Sequence, residues 1–415
     1  MDKASQVFAA EQQVNKRISL RRLFFLYVLI GLTGFGPTLA VETRKWLVQN
    51  ESWLTEEEFV NGLSLAQLLP GATFVNLAVY VGYKLRGMVG AVTGFTAILL
   101  MPFMLMLFLA HVYFSYHSVA AVSILFKGAT VVIVGVIANA VIELGRTTIR
   151  DGAAGMVALT AAGLMFTFKN PFAVLLAAAF AGILLYYRFF QSQSKLLAEP
   201  QQIEKNKSNY CGRRVWPLAV LGAIAAIIMQ LAPLTPVFIK LWWVFFRMGA
   251  VLFGGGLAMI PVIQQEIVDY YGWLNLDEFA VGIALSQVTP GPVLIIAAFI
   301  GYKVAAVGGA IAATLGIFSP SLLLVMGTAE IHQRIRNNSW VKAALQGIAA
   351  AFTGMMVVMI WDLGRYALTD ISAFVVATFV FCVLRFGRLN IITVIIAGTI
   401  MYCIIVAGTE LLTTI

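Results

Sequence analysis

The chain states one pattern twice, about 220 residues apart. The first copy runs Trp53-Leu54, Glu58-Phe59, Leu65-Ala66-Gln67-Leu68-Leu69-Pro70-Gly71-Ala72 and Gly82-Tyr83-Lys84. The second runs Trp273-Leu274, Glu278-Phe279, Leu285-Ser286-Gln287-Val288-Thr289-Pro290-Gly291-Pro292 and Gly301-Tyr302-Lys303. Both copies set Pro-Gly inside an apolar run. Proline removes a backbone donor and glycine admits conformations closed to other residues, so a helix breaks there. In hydrocarbon such a break survives only where protein or a wet cavity receives the freed backbone groups. Matching breaks in two halves point to a transport site near the membrane midplane.

The rest of the chain fits that setting. Of its 415 residues 60% are hydrophobic and 11% charged, against about 25% charged in a soluble protein. Many apolar runs exceed the roughly 18–20 residues that cross a bilayer. The fold class is therefore all-α, a polytopic integral membrane protein with two homologous halves, each carrying a Pro-Gly-broken helix or re-entrant segment. The net charge of +9 sits in links and tails, where it orients membrane segments rather than binding nucleic acid. Cys211, Cys382 and Cys403, like His111, His117 and His332, are scattered, so no metal site, cofactor or disulfide framework is expected. No nucleophile elbow, nucleotide motif or catalytic cluster is present, which argues against an enzyme. No cleavable leader is expected, because the N-terminus is polar for about twenty residues before the first apolar run.

Four regions follow. Residues 1–22 are a polar tail ending in Lys16, Arg17, Arg21 and Arg22, which predicts a cytoplasmic N-terminus. Residues 23–190 form the first transmembrane repeat, 191–214 a polar linker and 215–415 the second repeat. Apolar runs lie near 23–41, 59–82, 88–112, 118–142, 152–168 and 171–190, then 216–234, 237–263, 279–301, 306–330, 343–363, 367–384 and 390–408. They allow roughly ten to thirteen crossings. The parity, and with it a parallel or inverted relation of the halves, depends on whether the Pro-Gly segments cross or re-enter.

The chemistry-bearing positions come in matched sets. Gly34-Phe35-Gly36-Pro37 corresponds to Leu252-Phe253-Gly254-Gly255-Gly256. Adjacent glycines weaken a helix and suit either close backbone packing or a nest of N–H groups facing an anion. Gly36, Pro37, Gly254, Gly255 and Gly256 are pathway candidates on the second reading. Pro70, Gly71, Pro290 and Gly291 form the breaks, after which a restarting helix offers unpaired N–H groups and a positive dipole end. Gln67 and Gln287 each precede the proline by three residues. A carboxamide donates two hydrogen bonds without charge; these two either hold an oxyanion or stitch the broken helix to its neighbour. Thr289 is a weaker candidate of the same kind. Arg247 lies inside an apolar run, where burial without function is costly. Lys84 and Lys303 suit a vestibule or simple snorkelling. Glu42, Glu266 and Asp362 are candidates for carrying a proton or pairing with arginine, Asp362 with Arg365 three residues on.

At these motifs the chain resembles the chromate ion transporter family in its long form of two fused halves, over about residues 22–190 and 235–408. The second copy carries the closer likeness, through Phe253-Gly254-Gly255-Gly256-Leu257-Ala258-Met259-Ile260-Pro261, Trp273-Leu274, Ser286-Gln287-Val288-Thr289-Pro290-Gly291-Pro292 and Gly301-Tyr302. The resemblance implies a multi-pass inner-membrane protein that expels chromate, with sulfate as the similar natural oxyanion and a proton-linked mechanism. The first copy departs from the pattern: Phe35-Gly36-Pro37-Thr38-Leu39-Ala40 has one glycine fewer and no histidine, Leu69-Pro70-Gly71-Ala72 lacks the second proline, and Asn76 stands where a glutamine is customary. Asn76 joins the pathway candidates on that ground. The expected partners are a small inorganic oxyanion, the lipid bilayer and a coupling proton, with a homodimer left open and no nucleic acid. A passive anion channel, or a relative whose natural substrate is not chromate, would use the same site. A membrane sensor without flux is a further class, poorly supported because no sizeable soluble domain is present.

Overall fold

The structure, a computed structural model, describes residues 18–34, 38–116, 119–196, 237–253, 255–328, 338–387 and 389–413. The described residues are helical and contain no strand. In the first half α1 spans Leu20–Thr33, α2 Thr38–Arg44 with a wider π turn through Asn50, and α3 Glu56–Leu68. The helical run Thr73–Tyr116 turns a corner at Arg86–Gly87, where φ of Gly87 is +63°. It thus divides into α4 (73–85) and α5 (88–116). Then come α6 (Ala120–Thr148), α7 (Gly152–Phe168) and α8 (Pro171–Leu196).

The second half repeats this order. Helix α9 is Val237–Ala250, α10 runs from Gly256 through a 3-10 turn, an α turn and a π turn to Tyr270, and α11 is Leu276–Val288. The run from Val293 to Thr328 breaks at Ala305–Ala306, giving α12 (293–304) and α13 (307–328). Helices α14 (Ser339–Ala367), α15 (Ile371–Phe386) and α16 (Ile391–Thr413) complete the half.

Each Pro-Gly segment folds back on itself. Glu58 and Lys84, equally far from Gly71 in sequence, form an ion pair of 2.7 Å. Further up, a Cβ on Gly62 would meet the Tyr80 ring at 2.6 Å, and Asn76 Nδ2 donates to Ala66 O at 3.0 Å. Contacts that step inward from both ends define an antiparallel hairpin, α3–α4, with Pro70-Gly71 at its tip. The pair α11–α12 is built alike: Lys303 meets Glu278 at 2.7 Å and Gly282 lies against Phe299. Local sequence starts both hairpins, since Thr55 with Glu58 and Asn275 with Glu278 form reciprocal capping boxes, each cap contributing about 1 kcal/mol.

The described ends of the glycine motifs, Gly34 in the first half and Gly255 and Gly256 in the second, sit at the tips of a second pair of hairpins. In the first half, Arg22 of α1 binds Glu51 just after α2 at 2.7 Å. In the second, Arg247 of α9 binds Glu266 of α10 at 3.0 Å. The cation–aromatic contacts also repeat: Arg22 lies 6.0 Å from the Trp53 ring and Lys240 5.9 Å from Trp273.

Helix α5 fixes how the halves relate. It leaves the hairpin bases of the first half at Gly87. It then passes the tip layer at Pro102, which a Cβ on Gly291 would meet at 2.5 Å. It ends at the hairpin bases of the second half, where His111 Nδ1 is 2.8 Å from Tyr302 Oη and Phe114 lies 4.8 Å from Phe299. From Gly87 to Phe114 is about 40 Å at 1.5 Å per residue, close to a full bilayer with headgroups. The two sets of bases therefore lie on opposite faces and the halves are inverted.

Six helical stretches among the described residues are long and apolar enough to span a membrane, and α7 and α15 are shorter apolar helices. With the corners at 86–87 and 305–306 taken into account, the described residues hold four crossing helices per half, α5–α8 and α13–α16. This is fewer than the apolar runs suggest, because the hairpin arms enter and return. The crossing helices meet through small residues, with Gly182 against Gly347 and Gly354 against Ala158, the packing lipid favours. The apolar run 216–234 and most of the 191–214 linker lie outside the described residues.

Candidate functional site

The tips of all four hairpins meet midway between the faces, and the halves exchange backbone bonds there. Gly71 N–H donates to Leu252 O at 2.9 Å, and Gly291 N–H donates to Gly34 O at 2.8 Å. Each bond joins the Pro-Gly tip of one half to the glycine tip of the other. Gly71 and Gly291 hold φ near +112° and +103°, a region that essentially only glycine occupies. Beneath each tip runs the crossing helix of the opposite half: Gly291 rests on Pro102 of α5, and Gly71 on Ser321 of α13 beside Pro320. Ser321 Oγ also accepts from Ala72 N at 3.2 Å. Donors that hydrocarbon would leave unpaired thus find partners across the interface.

The matched amides have different surroundings. Gln287 is 8% exposed, and its Nε2 is buried with no hydrogen-bond partner. Gln67 is exposed. Of the two amides, Gln287 is the one with an unsatisfied buried donor, and leaving one unpaired costs about 1–3 kcal/mol. Thr289 donates back to Leu285 O at 2.7 Å, so its hydroxyl proton is engaged. Asn76 is fully buried, and its Nδ2 faces the carbonyls of Ala66, Leu69 and Pro70 at 3.0, 3.3 and 3.4 Å. It staples the first break, while its Oδ1 stays unpaired. The helices that restart at Thr73 and Val293 begin in this layer, so their first-turn N–H groups lie close to the junction.

Other candidates lie away from the tips. Lys84 and Lys303 are held by Glu58 and Glu278 at the bases, which accounts for both without a vestibule role. Glu266 is 9% exposed and paired with Arg247. Asp362 lines a cavity of about 490 Å³ with Lys169, Gln264 and Asp269; among the described residues it makes no ion pair within 4 Å, with Arg365 or otherwise. Glu42 is partly buried in α2. Gly255 and Gly256 lie in the second glycine tip, where a Cβ on Gly256 would meet the Val293 side chain at 3.2 Å. Gly36, Pro37 and Gly254 fall outside the described residues.

Sequence reasoning missed Pro102, Pro320 and Ser321, which support the tips. Pro102 and Ser321 occupy matching places, 15 residues after Gly87 and Ala306, with Pro320 one residue earlier, and a proline recurring within one position was the available signal. No cluster of metal-ligating side chains occurs among the described residues.

The family model described as "Chromate transporter" matches residues 21–183 and again 239–403. The chain is 28% identical to an uncharacterized transporter of Methanocaldococcus jannaschii, over 97% of this chain and 98% of that one. It is 28% identical to a probable chromate transport protein of Synechococcus elongatus, over 88% and 89% of the two chains. It is also 28% identical to a chromate transport protein of Cupriavidus metallidurans, over 90% of each. No solved structure matches the chain.

Proposed function

The chain belongs to the chromate transporter family, and from that premise we propose that it is a secondary transporter exporting chromate, or a related tetrahedral oxyanion such as sulfate, across the inner membrane in exchange for protons. The observation that carries this reading is the reciprocal pair of bonds, Gly71 N to Leu252 O and Gly291 N to Gly34 O. It gathers four interrupted helices at one midplane junction, the arrangement in which inverted-repeat transporters place their ligand. Gln287 Nε2 and the first-turn amides at Thr73 and Val293 supply uncharged donors to the oxyanion. Such donors bind without trapping, which release requires.

Two backbone bonds, each worth about 1 kcal/mol net, join the tips directly. The crossing helices of the two halves pack closely, with Gly182 on Gly347 and Gly354 on Ala158, so on this reading access alternates by movement of the hairpin tips rather than by rocking of whole halves. Of the three carboxylates considered for coupling, Glu266 is neutralised by Arg247. Asp362, at a cavity wall, is the better proton carrier. The hairpin bases of the first half carry Arg22, Arg44, Lys45, Lys84 and Arg86, whereas those of the second carry Lys240 and Lys303. This bias supports a cytoplasmic N-terminus.

The test is uptake of labelled sulfate into reconstituted vesicles under an imposed pH step, with chromate, phosphate and nitrate as competitors. Accumulation above the external concentration, abolished by collapsing the pH difference and inhibited most by chromate, is the expected result. Simple equilibration would replace the transporter with a passive anion channel, and no flux with any oxyanion would remove the proposal.

A further inference from the structure

A second cavity, of about 630 Å³, opens on the face of the second-half bases, between the turn that joins α7 to α8 and the arms of the second glycine hairpin. Its walls are largely aromatic, from Phe172, Trp243, Phe246 and Tyr271. Arg247 lies with its guanidinium 5.3 Å from the centre of the Phe172 ring. Glu266 takes one of its terminal nitrogens at 3.0 Å, while its Nε is buried without a hydrogen-bond partner. Lys169 at the rim is exposed and makes no ion pair within 4 Å among the described residues. It holds a left-handed conformation, φ +49°, at the end of α7. In this lining Arg247 and Lys169 stand with one carboxylate, Glu266, and Asp269 and Asp362 of the adjoining cavity also act on Lys169. The position of the first half that corresponds to Arg247 is Leu29, so the inverted repeat does not duplicate that cation.

From these features we propose that the cavity binds small aromatic organic oxyanions, an aryl sulfonate or aryl carboxylate, with the ring against the aromatic wall and the anionic group between Arg247 and Lys169. The volume is that of a small-molecule site. A bare tetrahedral oxyanion would occupy a fraction of it and leave the rings uncovered. An aromatic body gains both ring contact and burial, and the guanidinium, already over the Phe172 ring, offers further donors to an anionic group. The site is separate from the tip junction, and its binding does not depend on the transport reading.

The test is chemical labelling of the purified full-length chain in nanodiscs of neutral phosphatidylcholine. Diisothiocyanostilbene disulfonate presents aromatic rings, sulfonates and an amine-reactive group. The neutral lysine amine adds across the isothiocyanate C=N bond to give a thiourea, and nothing leaves. Peptide mass spectrometry should place the fastest adduct at Lys169, ahead of exposed Lys45. Benzenesulfonate should protect Lys169, and sulfate at equal ionic strength should not. The double variant Arg247→Gln, Glu266→Gln avoids stranding either charge and should slow labelling about tenfold, the effect of losing one charge-assisted contact. Labelling that tracks exposure alone, or equal protection by sulfate, would overturn the proposal. Loss of labelling when phosphatidylglycerol is added would assign the cavity to a lipid headgroup and overturn it as well. Protection in the wild-type chain needs no variant, so poor folding of the double variant leaves the test intact.

Discussion

Replacing Gly291 with alanine tests whether the tip junction is as closely fitted as its geometry implies. At φ +103° an L-residue is strained by about 1–3 kcal/mol wherever it sits. The added Cβ also lands 2.5 Å from Pro102 Cγ, and overpacking of that kind costs about 1–3 kcal/mol more. Gly255 provides the control. Its φ is +105°, and nothing lies within 4 Å of where its Cβ would be. Gly255→Ala therefore carries the strain alone and Gly291→Ala carries both penalties. Apparent melting midpoints, from the monodisperse fraction left after heating in detergent, should fall in the order wild type, Gly255→Ala, Gly291→Ala. Trimming the opposing surface with Pro102→Ala should return part of the loss in the Gly291→Ala background, with a coupling of about 1–3 kcal/mol. Equal midpoints for the two glycine variants, or no coupling to Pro102, would refute the claim that each tip is seated on the opposite half.

Three further outcomes follow from the same geometry. Gln287→Ala should weaken oxyanion affinity roughly ten- to hundredfold, while Gln67→Ala, at an exposed site, changes it little; unchanged affinity in well-folded Gln287→Ala protein would remove that residue from the site. Ala306→Gly should raise the apparent midpoint, because Ala306 holds φ +48° and ψ −143° at the corner where the first half has Gly87, at a cost of order 1 kcal/mol; a lower midpoint would show that the corner is not strained. In a background free of native cysteine, Asn50→Cys and Tyr270→Cys occupy matching exposed positions, and a membrane-impermeant maleimide should reach them from opposite sides; labelling of both from one side would rule out inversion.

The doubled breaks, the glycine motifs and the membrane class were legible because they are patterns of residue type at a fixed spacing. Whether the Pro-Gly segments cross or re-enter was left open, although a signal was present. Arms of about 13 residues extend some 20 Å as helix, short of the roughly 30 Å hydrocarbon core. Glu58 and Lys84 lie at equal distance on either side of Gly71, so folding back pairs them and crossing would not. Inversion was hidden for a different reason: it rests on where α5 ends in space, against Tyr302 and Phe299, and no local pattern encodes that. The unequal roles of Gln67 and Gln287 likewise come from packing rather than from residue identity. Asn76 was singled out as a departure from a pattern, and its place in the fold gives that departure a cause, since the first break lacks the second proline and is stapled by a side chain instead.

The bonds exchanged between tips also set the order in which the chain can be completed in the cell. When the first repeat leaves the ribosome, Gly71 N–H and the Gly34 carbonyl have no partners, because Leu252 and Gly291 have yet to be made. At about 5–20 residues per second, the roughly 220 residues between equivalent positions take about 10–40 s. For that interval the first repeat sits in the bilayer with its tips unfinished. A pause or truncation beyond its last helix would present a half whose interior is open, a distinct target for membrane quality control.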